Sequence, residues 1–424
     1  MKRILINCLL AASALTASAQ SGTNSPYSQY GLGILSDQSQ GFNRGMNGLA
    51  LGMRGNHVNA MNPASYSAVD SLTMLFDLGM SGQVTNFKEN GASINAYNAD
   101  FEYAVAAFRL MPGLGFSAGV LPYTNIGYNY NDRKVINSTM TSVETYSGSG
   151  GLHQAYVGVG WSVLKSLSVG ANLSYLWGTY DKKITVVNSD SYVNSVIKNY
   201  TTSVNSYKLD LGVQWLQQID KNNLLTVGVT YGLGHDLGAD AQSMISNTNS
   251  QTAVSTTDTM SVSDALSIPT TFGVGFAWKH KDNLTFGVDY TLQKWGGVDF
   301  PETNPQTGAY ELKSGLLKDR SKITVGAEWL PNAEGRFLQK VRYRAGASYA
   351  TPYITVNGAD GPKEYSASIG FGIPITTYKN RQSMFNFSAQ WVHSSASNMI
   401  TENTFRINLG ITFNENWFAK WKVE

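Results

Sequence analysis

The sequence predicts an all-β protein, a transmembrane antiparallel β-barrel of about fourteen strands preceded by an N-terminal plug. Three observations lead there: a dyad hydrophobic repeat, a secretory leader, and a composition poor in charge and rich in glycine and tyrosine. The repeat runs over residues 72–413. Leu167, Val169, Ala171, Leu173, Tyr175 and Trp177 alternate with Ser168, Gly170, Asn172 and Ser174, with one break at Leu176. Tyr207, Leu209, Leu211, Val213 and Trp215 alternate with Lys208, Asp210, Gly212 and Gln214. Phe405, Ile407, Leu409, Ile411 and Phe413 alternate with Arg406, Asn408, Gly410 and Thr412. Such strands meet two media. Their apolar faces end in Trp, Tyr and Phe, amphipathic rings that suit a membrane interface better than a soluble sandwich core.

The N-terminus reads as a signal peptide, residues 1–19. Lys2 and Arg3 precede an apolar stretch from Ile4 to Leu15, and Ala17-Ser18-Ala19 form a cleavage signal. That stretch is too short to span a bilayer as a helix. Cys8 lies within it, away from the cleavage point, so the mature chain keeps no cysteine for disulfides or metal sites. The formal charge falls from +2 to about zero when Lys2 and Arg3 leave, which argues against nucleic acid as a partner. Charged residues are 14% of the chain, against about 25% in soluble domains. No later run of apolar residues is long enough for a membrane helix, and the 42 glycines and 23 tyrosines fit a barrel.

The barrel occupies residues 72–424. Strands are expected at 72–86, 98–110, 113–126, 152–163, 167–180, 205–216, 224–236, 269–279, 283–295, 320–331, 340–351, 364–375, 382–393 and 402–413. Short connections, such as Met111-Pro112, Leu164-Lys165-Ser166, Lys281-Asp282 and Tyr378-Lys379-Asn380, alternate with longer ones near 87–97, 127–151, 181–204, 237–268, 296–319, 352–363 and 394–401. Tight turns belong on the periplasmic side and long loops outside, which leaves both chain ends periplasmic. The Ser/Thr/Asn-rich stretch 237–268 is expected to be a solvated, mobile loop.

Residues 20–71 do not alternate and carry eight glycines, seven of them from Gly31 to Gly55. About fifty residues are too few for an independent domain, so they form either a plug in the lumen or a disordered periplasmic tail. Arg44-Gly45-Met46, Gly48-Leu49-Ala50 and Met61-Asn62-Pro63-Ala64 resemble the start of the FadL family of hydrophobic-compound transporters. The resemblance continues through Gly119-Val120-Leu121-Pro122-Tyr123, Ile268-Pro269 with Thr271 to Gly275, Tyr290 to Trp295, and Tyr343 to Tyr349 followed by Pro352. It implies a fourteen-stranded barrel plugged by an N-terminal hatch with an Asn-Pro-Ala motif, here Asn62, Pro63 and Ala64. The ending Trp417 to Glu424 departs from proteobacterial barrels and resembles Bacteroidota outer-membrane proteins. A related branch contains shuttle barrels of type IX secretion that bind protein cargo.

Candidate residues follow from the faces. Asp210, Asp289, Glu328, Arg342, Arg344 and Arg406 alternate with outward apolar residues and should face the lumen, because charge is expensive in hydrocarbon. They form either a salt-bridge network holding the plug, with Arg44 and Arg54 as partners, or a site where an arginine meets a substrate carboxylate. Pro122 cannot donate to a ladder, so with Gly119 and Tyr123 it marks either a kink in the third strand or an early strand end at the outer rim. The resemblance implies the kink, which in the FadL family opens a lateral hole. The five histidines, His57, His153, His235, His280 and His393, lie in the plug, loops and strand ends without ligand spacing. The chain reads as a non-enzyme without cofactor or metal: a monomeric outer-membrane passive transporter of hydrophobic small molecules with lateral exit. Its surroundings are outer-membrane lipids and lipopolysaccharide. The alternative is a secretion shuttle that docks secreted proteins.

Overall fold

The computed structural model describes residues 22–138, 140–377 and 381–416. The signal peptide, the Tyr378-Lys379-Asn380 turn and the Trp417 to Glu424 ending lie outside the described residues. One antiparallel sheet closes on itself as a barrel of fourteen strands. They are β1 (Thr73–Glu89), β2 (Ala92–Met111), β3 (Leu114–Pro122, resuming as Thr124–Val135), β4 (Thr141–Ser162) and β5 (Leu167–Asn188). Next come β6 (Ser195–Asp220), β7 (Asn223–Gly232), β8 (Thr271–His280), β9 (Leu284–Gln293) and β10 (Arg320–Trp329). The last are β11 (Arg342–Ala350), β12 (Lys363–Thr377), β13 (Arg381–Ser395) and β14 (Thr401–Asn416). Each strand pairs with its sequence neighbours. Closure is made by β14 against β1 in a continuous register from Thr73↔Asn416 to Lys88↔Thr401.

The dyad repeat sorts side chains by face. Leu173, Tyr175, Tyr207, Trp215, Phe405 and Phe413 point outward and are exposed, while Ser168, Asn172, Ser174 and Gln214 point inward and are buried. An apolar exterior on a closed barrel is the arrangement lipid requires, since a closed ladder pairs its backbone polar groups within the sheet.

Several strands are longer than expected. β4, β5 and β6 continue far past the belt, so most of 127–151 and 181–204 is paired strand rather than loop. The stretch 237–268 is likewise no structureless loop. Ala241–Thr248 pairs with both β6 and Ser255–Val262, extending the sheet sideways. Thr, Val and Tyr favour extended backbone even where polar and apolar residues mix on both faces, and hydrophobic alternation cannot register such strands. The connection expected at 87–97 contracts to Asn90-Gly91, both at positive φ, a tight hairpin turn.

Two other departures concern phase. Between β1 and β2 the register runs Gly79↔Tyr103 and then Met80↔Phe101, so Glu102 is an extra residue in a bulge. Tyr103, Val105 and Ala107 consequently turn inward and are buried. The third strand, expected as one run over 113–126, is interrupted at Tyr123 and both halves pair with β4. Gly150 and Gly151 take φ of +120° and +132° where β4 changes partner.

Residues 22–71 pack against the inward faces of the wall. A short 3-10 helix, Pro63–Ala68, begins at Asn62, whose side chain caps it by accepting from the Ala64 N–H at 3.2 Å. A Cβ added at Gly228 would lie 1.9 Å from the Leu51 carbonyl oxygen, whereas one added at Gly82, on the outer face, would meet nothing within 4 Å. Gly228→Ala should therefore destabilise the folded barrel by about 1–3 kcal/mol, the usual cost of overpacking, while Gly82→Ala leaves it near wild type. Urea unfolding of both variants in detergent micelles checks this; equal midpoints would refute the close approach.

Candidate functional site

The inward charges form separate centres. Arg44 donates from Nη2 to Glu102 Oε2 at 2.8 Å and from Nη1 to Asn408 Oδ1 at 2.9 Å, with both members of the ion pair buried. Its guanidinium also sits over the Tyr103 ring, 5.5 Å from the centroid. Glu102 on β2 was not among the residues singled out from the sequence, although its alternation with Phe101 and Tyr103 already puts it on the inward face. Asp289 Oδ2 accepts from the Ala50 and Leu51 N–H groups at 2.6 and 2.9 Å. Glu328 holds Arg342 and Arg344 at 2.6 and 2.7 Å, and Arg344 reaches Asn386 Oδ1 at 2.7 Å. Arg406 donates to Gln83 Oε1 at 2.9 Å. Asp210 pairs with Lys208, whose ammonium lies 5.9 Å from the centre of the Tyr123 ring.

Arg54 differs from these. Among the described residues it meets four neutral oxygens and no carboxylate: Gln214 Oε1 at 3.1 Å, Ser67 Oγ at 3.0 Å, and Ser162 Oγ and the Ala64 carbonyl at 3.4 Å. Burial pushes its pKa down to about 10, which leaves it cationic at neutral pH. His57 stacks on Phe42 with ring centroids 3.8 Å apart, and burial drives it down to about 3, so it is neutral. Asn62 Nδ2 donates to the Leu51 carbonyl at 2.8 Å, and Pro63 lies against inward glycines that include Gly170 and Gly212. His153 sits in the middle of long β4 rather than at a strand end, stacked on outward-facing Trp177.

The wall changes character at Pro122. The β2–β3 ladder ends at Ala104↔Val120, while β3 stays paired with β4 on its other side. Tyr123 donates its N–H to the Leu152 carbonyl on β4 at 2.6 Å, so the Pro122 nitrogen lies on the edge turned away from β4. Strand structure resumes at Thr124 and runs to Val135, so β3 does not end at the proline. Along the abandoned edge runs the N-terminal segment. Ile34 and Leu35 pair antiparallel with Asn125 and Thr124. The Ser36 N–H donates to the Tyr123 carbonyl at 3.0 Å, and Gln38 Nε2 to the Pro122 carbonyl at 2.7 Å. Asn24 reaches Asn98 on β2 at 2.7 Å, so the segment touches both sides of the seam. Gly119 faces β2, where an added Cβ would lie 2.6 Å from the Ala104 carbonyl.

There are two cavities to consider, of which one adjoins these contacts. One of about 240 Å³ lies beside residues 34–38 and is lined by Asp37, Asp100, Glu102, Lys322, Glu402 and Arg406 among others. A second, of about 360 Å³, lies at the short-turn end. The first is strongly charged. The apolar surface nearby is already filled by the chain itself: Tyr27 and Leu32 pack with Leu152, Leu176, Leu266 and Trp295, with Ile34 and Leu35 against them.

The family model described as BamG matches residues 1–424, the whole sequence. The chain belongs to the BamG family. No curated protein matches it. Among solved structures it is similar to a Pseudomonas aeruginosa FadL homologue, with TM-score 0.64 and 11% identity over 90% of this chain and 99% of that one. The Ralstonia pickettii toluene transporter TbuX gives 0.61 and 14% over 89% and 98%. The CymD monoaromatic hydrocarbon channel gives 0.60 and 14% over 92% and 100%. At such identities the likeness establishes a shared fold.

The Arg44–Glu102 pair gives a direct test. Arg44→Met strands a buried carboxylate and should cost about 3–5 kcal/mol, whereas adding Glu102→Gln should restore most of the loss. Unfolding midpoints of the single and double variants measure the coupling; strictly additive losses would mean that the two charges do not act as a pair.

Proposed function

We propose that this BamG-family chain is an outer-membrane passive transporter of hydrophobic small molecules, in which residues 22–71 are the plug and the β2–β3 seam is a lateral exit. The observation that carries the proposal is the exchange of partners at Val120, where a wall strand gives way to residues 34–38. The rows of paired residues through this point run to Ala155, Tyr175 and Tyr207 on one side, and to Leu78 and Ile411 on the other. Those side chains are outward and apolar, so a compound leaving here would enter hydrocarbon rather than water. Two paired residues are far easier to displace than a full barrel ladder, whose strands gain from every cross-strand neighbour. Because the apolar cluster is filled, an incoming ligand would take the places of Tyr27, Leu32, Ile34 and Leu35. The solved barrels of like fold described as hydrocarbon and toluene transporters are consistent with this cargo. The protein would act as a monomer among outer-membrane lipids and lipopolysaccharide, with its signal peptide cleaved after Ala19 and both ends periplasmic. No cofactor enters the scheme.

A second reading, a shuttle or docking barrel for secreted proteins, draws support from the tall extension of β3–β6. Its outermost strand, Ser255–Val262, pairs on one edge only among the described residues and is mostly exposed. Exposed edges invite strand addition from another chain. The two readings differ in what moves.

If residues 34–38 are the exit gate, a disulfide between Leu35→Cys and Thr124→Cys, register partners across the seam, should hold it shut. Uptake of radiolabelled toluene by cells expressing the oxidised variant should fall severalfold and recover on reduction. Pro122→Val, which restores an N–H and favours continuous pairing, should lower uptake without loss of folded protein. Unchanged uptake in both variants would remove the lateral route, and a barrel without any toluene uptake would favour the docking reading.

A further inference from the structure

The cavity at the short-turn end plays no part in the seam, and its chemistry is distinct. Four cationic side chains line it, Arg54, Lys279, Arg342 and Arg344, against two carboxylates, Asp282 and Glu328. Glu328 is shared by Arg342 and Arg344. Asp282 pairs with Lys279 at 2.8 Å, but its side chain is 94% exposed, and such surface pairs neutralise little. Arg54 is fixed by neutral oxygens alone. The cavity therefore carries an excess of two positive charges, with one guanidinium positioned but not compensated. Its remaining wall is mixed: Phe42, Met53, Leu224, Leu330 and Met384 give it apolar patches between polar side chains such as Asn56, Thr226, Asn283 and Thr285. The His57 ring beside Phe42 keeps a buried Nε2 without a partner.

We propose that this cavity is a binding site for a compact amphipathic organic anion, a carboxylate or sulfonate carried on one or two rings or a short branched chain. The uncompensated arginine selects the anionic head, because a charge-assisted contact to a partly buried guanidinium is strong and a cation would be repelled. The apolar patches of Phe42, Met53, Leu224, Leu330 and Met384 favour a carbon body on that head over a free inorganic anion. A volume of about 360 Å³ sits at the small end of ligand pockets and excludes large ligands. Arg54 anchors the head, Lys279 and Arg342 supply the surrounding field, and the stacked Phe42–His57 pair offers a face for a ring. The site holds whether or not the seam opens, so it stands apart from the transport reading.

The test uses the full mature protein in nanodiscs of neutral lipid. Isothermal titration with 2-naphthoate should give saturable binding, and 2-naphthol and 2-naphthylmethylammonium should bind at least about tenfold more weakly, the effect of one charge-assisted contact. Acetate should not compete at equal concentration. Arg54→Gln should weaken naphthoate about tenfold or more, and Lys279→Gln, at a strand end where folding is not at stake, by a smaller factor. The oxidised Leu35→Cys/Thr124→Cys protein should bind naphthoate as the wild type does, which separates failure of this site from failure of the seam. Equal binding of naphthoate and naphthol, or naphthoate affinity unchanged in both charge variants, would overturn the proposal, as would no saturable binding.

Discussion

Within hydrocarbon a backbone N–H or C=O has nothing to bond except another part of the protein, and each unpaired group costs several kcal/mol. The fourteen-stranded ladder satisfies that demand by closing β14 on β1. On the β3 edge of the seam, from Pro122 to Asn125, it is satisfied differently, by a segment from the chain's own N-terminal region. Other features of the third strand follow from this substitution. A proline is tolerated in a closed wall because its nitrogen faces an edge that no strand occupies. Gly150 and Gly151 on β4 adopt backbone angles open to glycine, because β4 must follow a partner that shifts register around Tyr123.

Much of the wall was legible in the sequence. Hydrophobic alternation measures where a strand crosses hydrocarbon, and all fourteen wall strands lie where the repeat placed them. Their upper limits were not legible, since above the belt β4, β5 and β6 mix polar and apolar residues on both faces and pairing continues without regular alternation. Only Asn90-Gly91 offered a local clue that β1 and β2 extend to a hairpin. Phase was harder still. Phe101, Tyr103, Val105 and Ala107 read as one face, yet a single bulged residue sends Phe101 outward and the other three inward.

The candidate sites show the same limit. Arg344, Glu328 and Asp289 could be assigned inward because their neighbours along the strand are apolar. Their partners could not be assigned: Asp289 turned out to hold backbone N–H groups rather than an arginine. The contrast between Arg44, which has a carboxylate, and Arg54, which has none, depends on tertiary placement that no short spacing encodes. Nothing in the sequence distinguishes Gln38 from a surface glutamine, although its amide completes the edge at Pro122.

The Arg44 guanidinium also bears on how such a cylinder can be assembled. It joins Glu102 on β2 to Asn408 on β14, the two neighbours of β1, across a sequence separation of more than 300 residues. Bringing the first and last strands together is the costliest loop closure in the chain, and its entropy must be met before the final ladder returns any bonds. A segment already lodged between the two ends shortens that search, because each end finds a fixed landmark instead of another mobile strand. In that sense one buried guanidinium is a keystone for the cylinder, set where the first stave meets both of its neighbours.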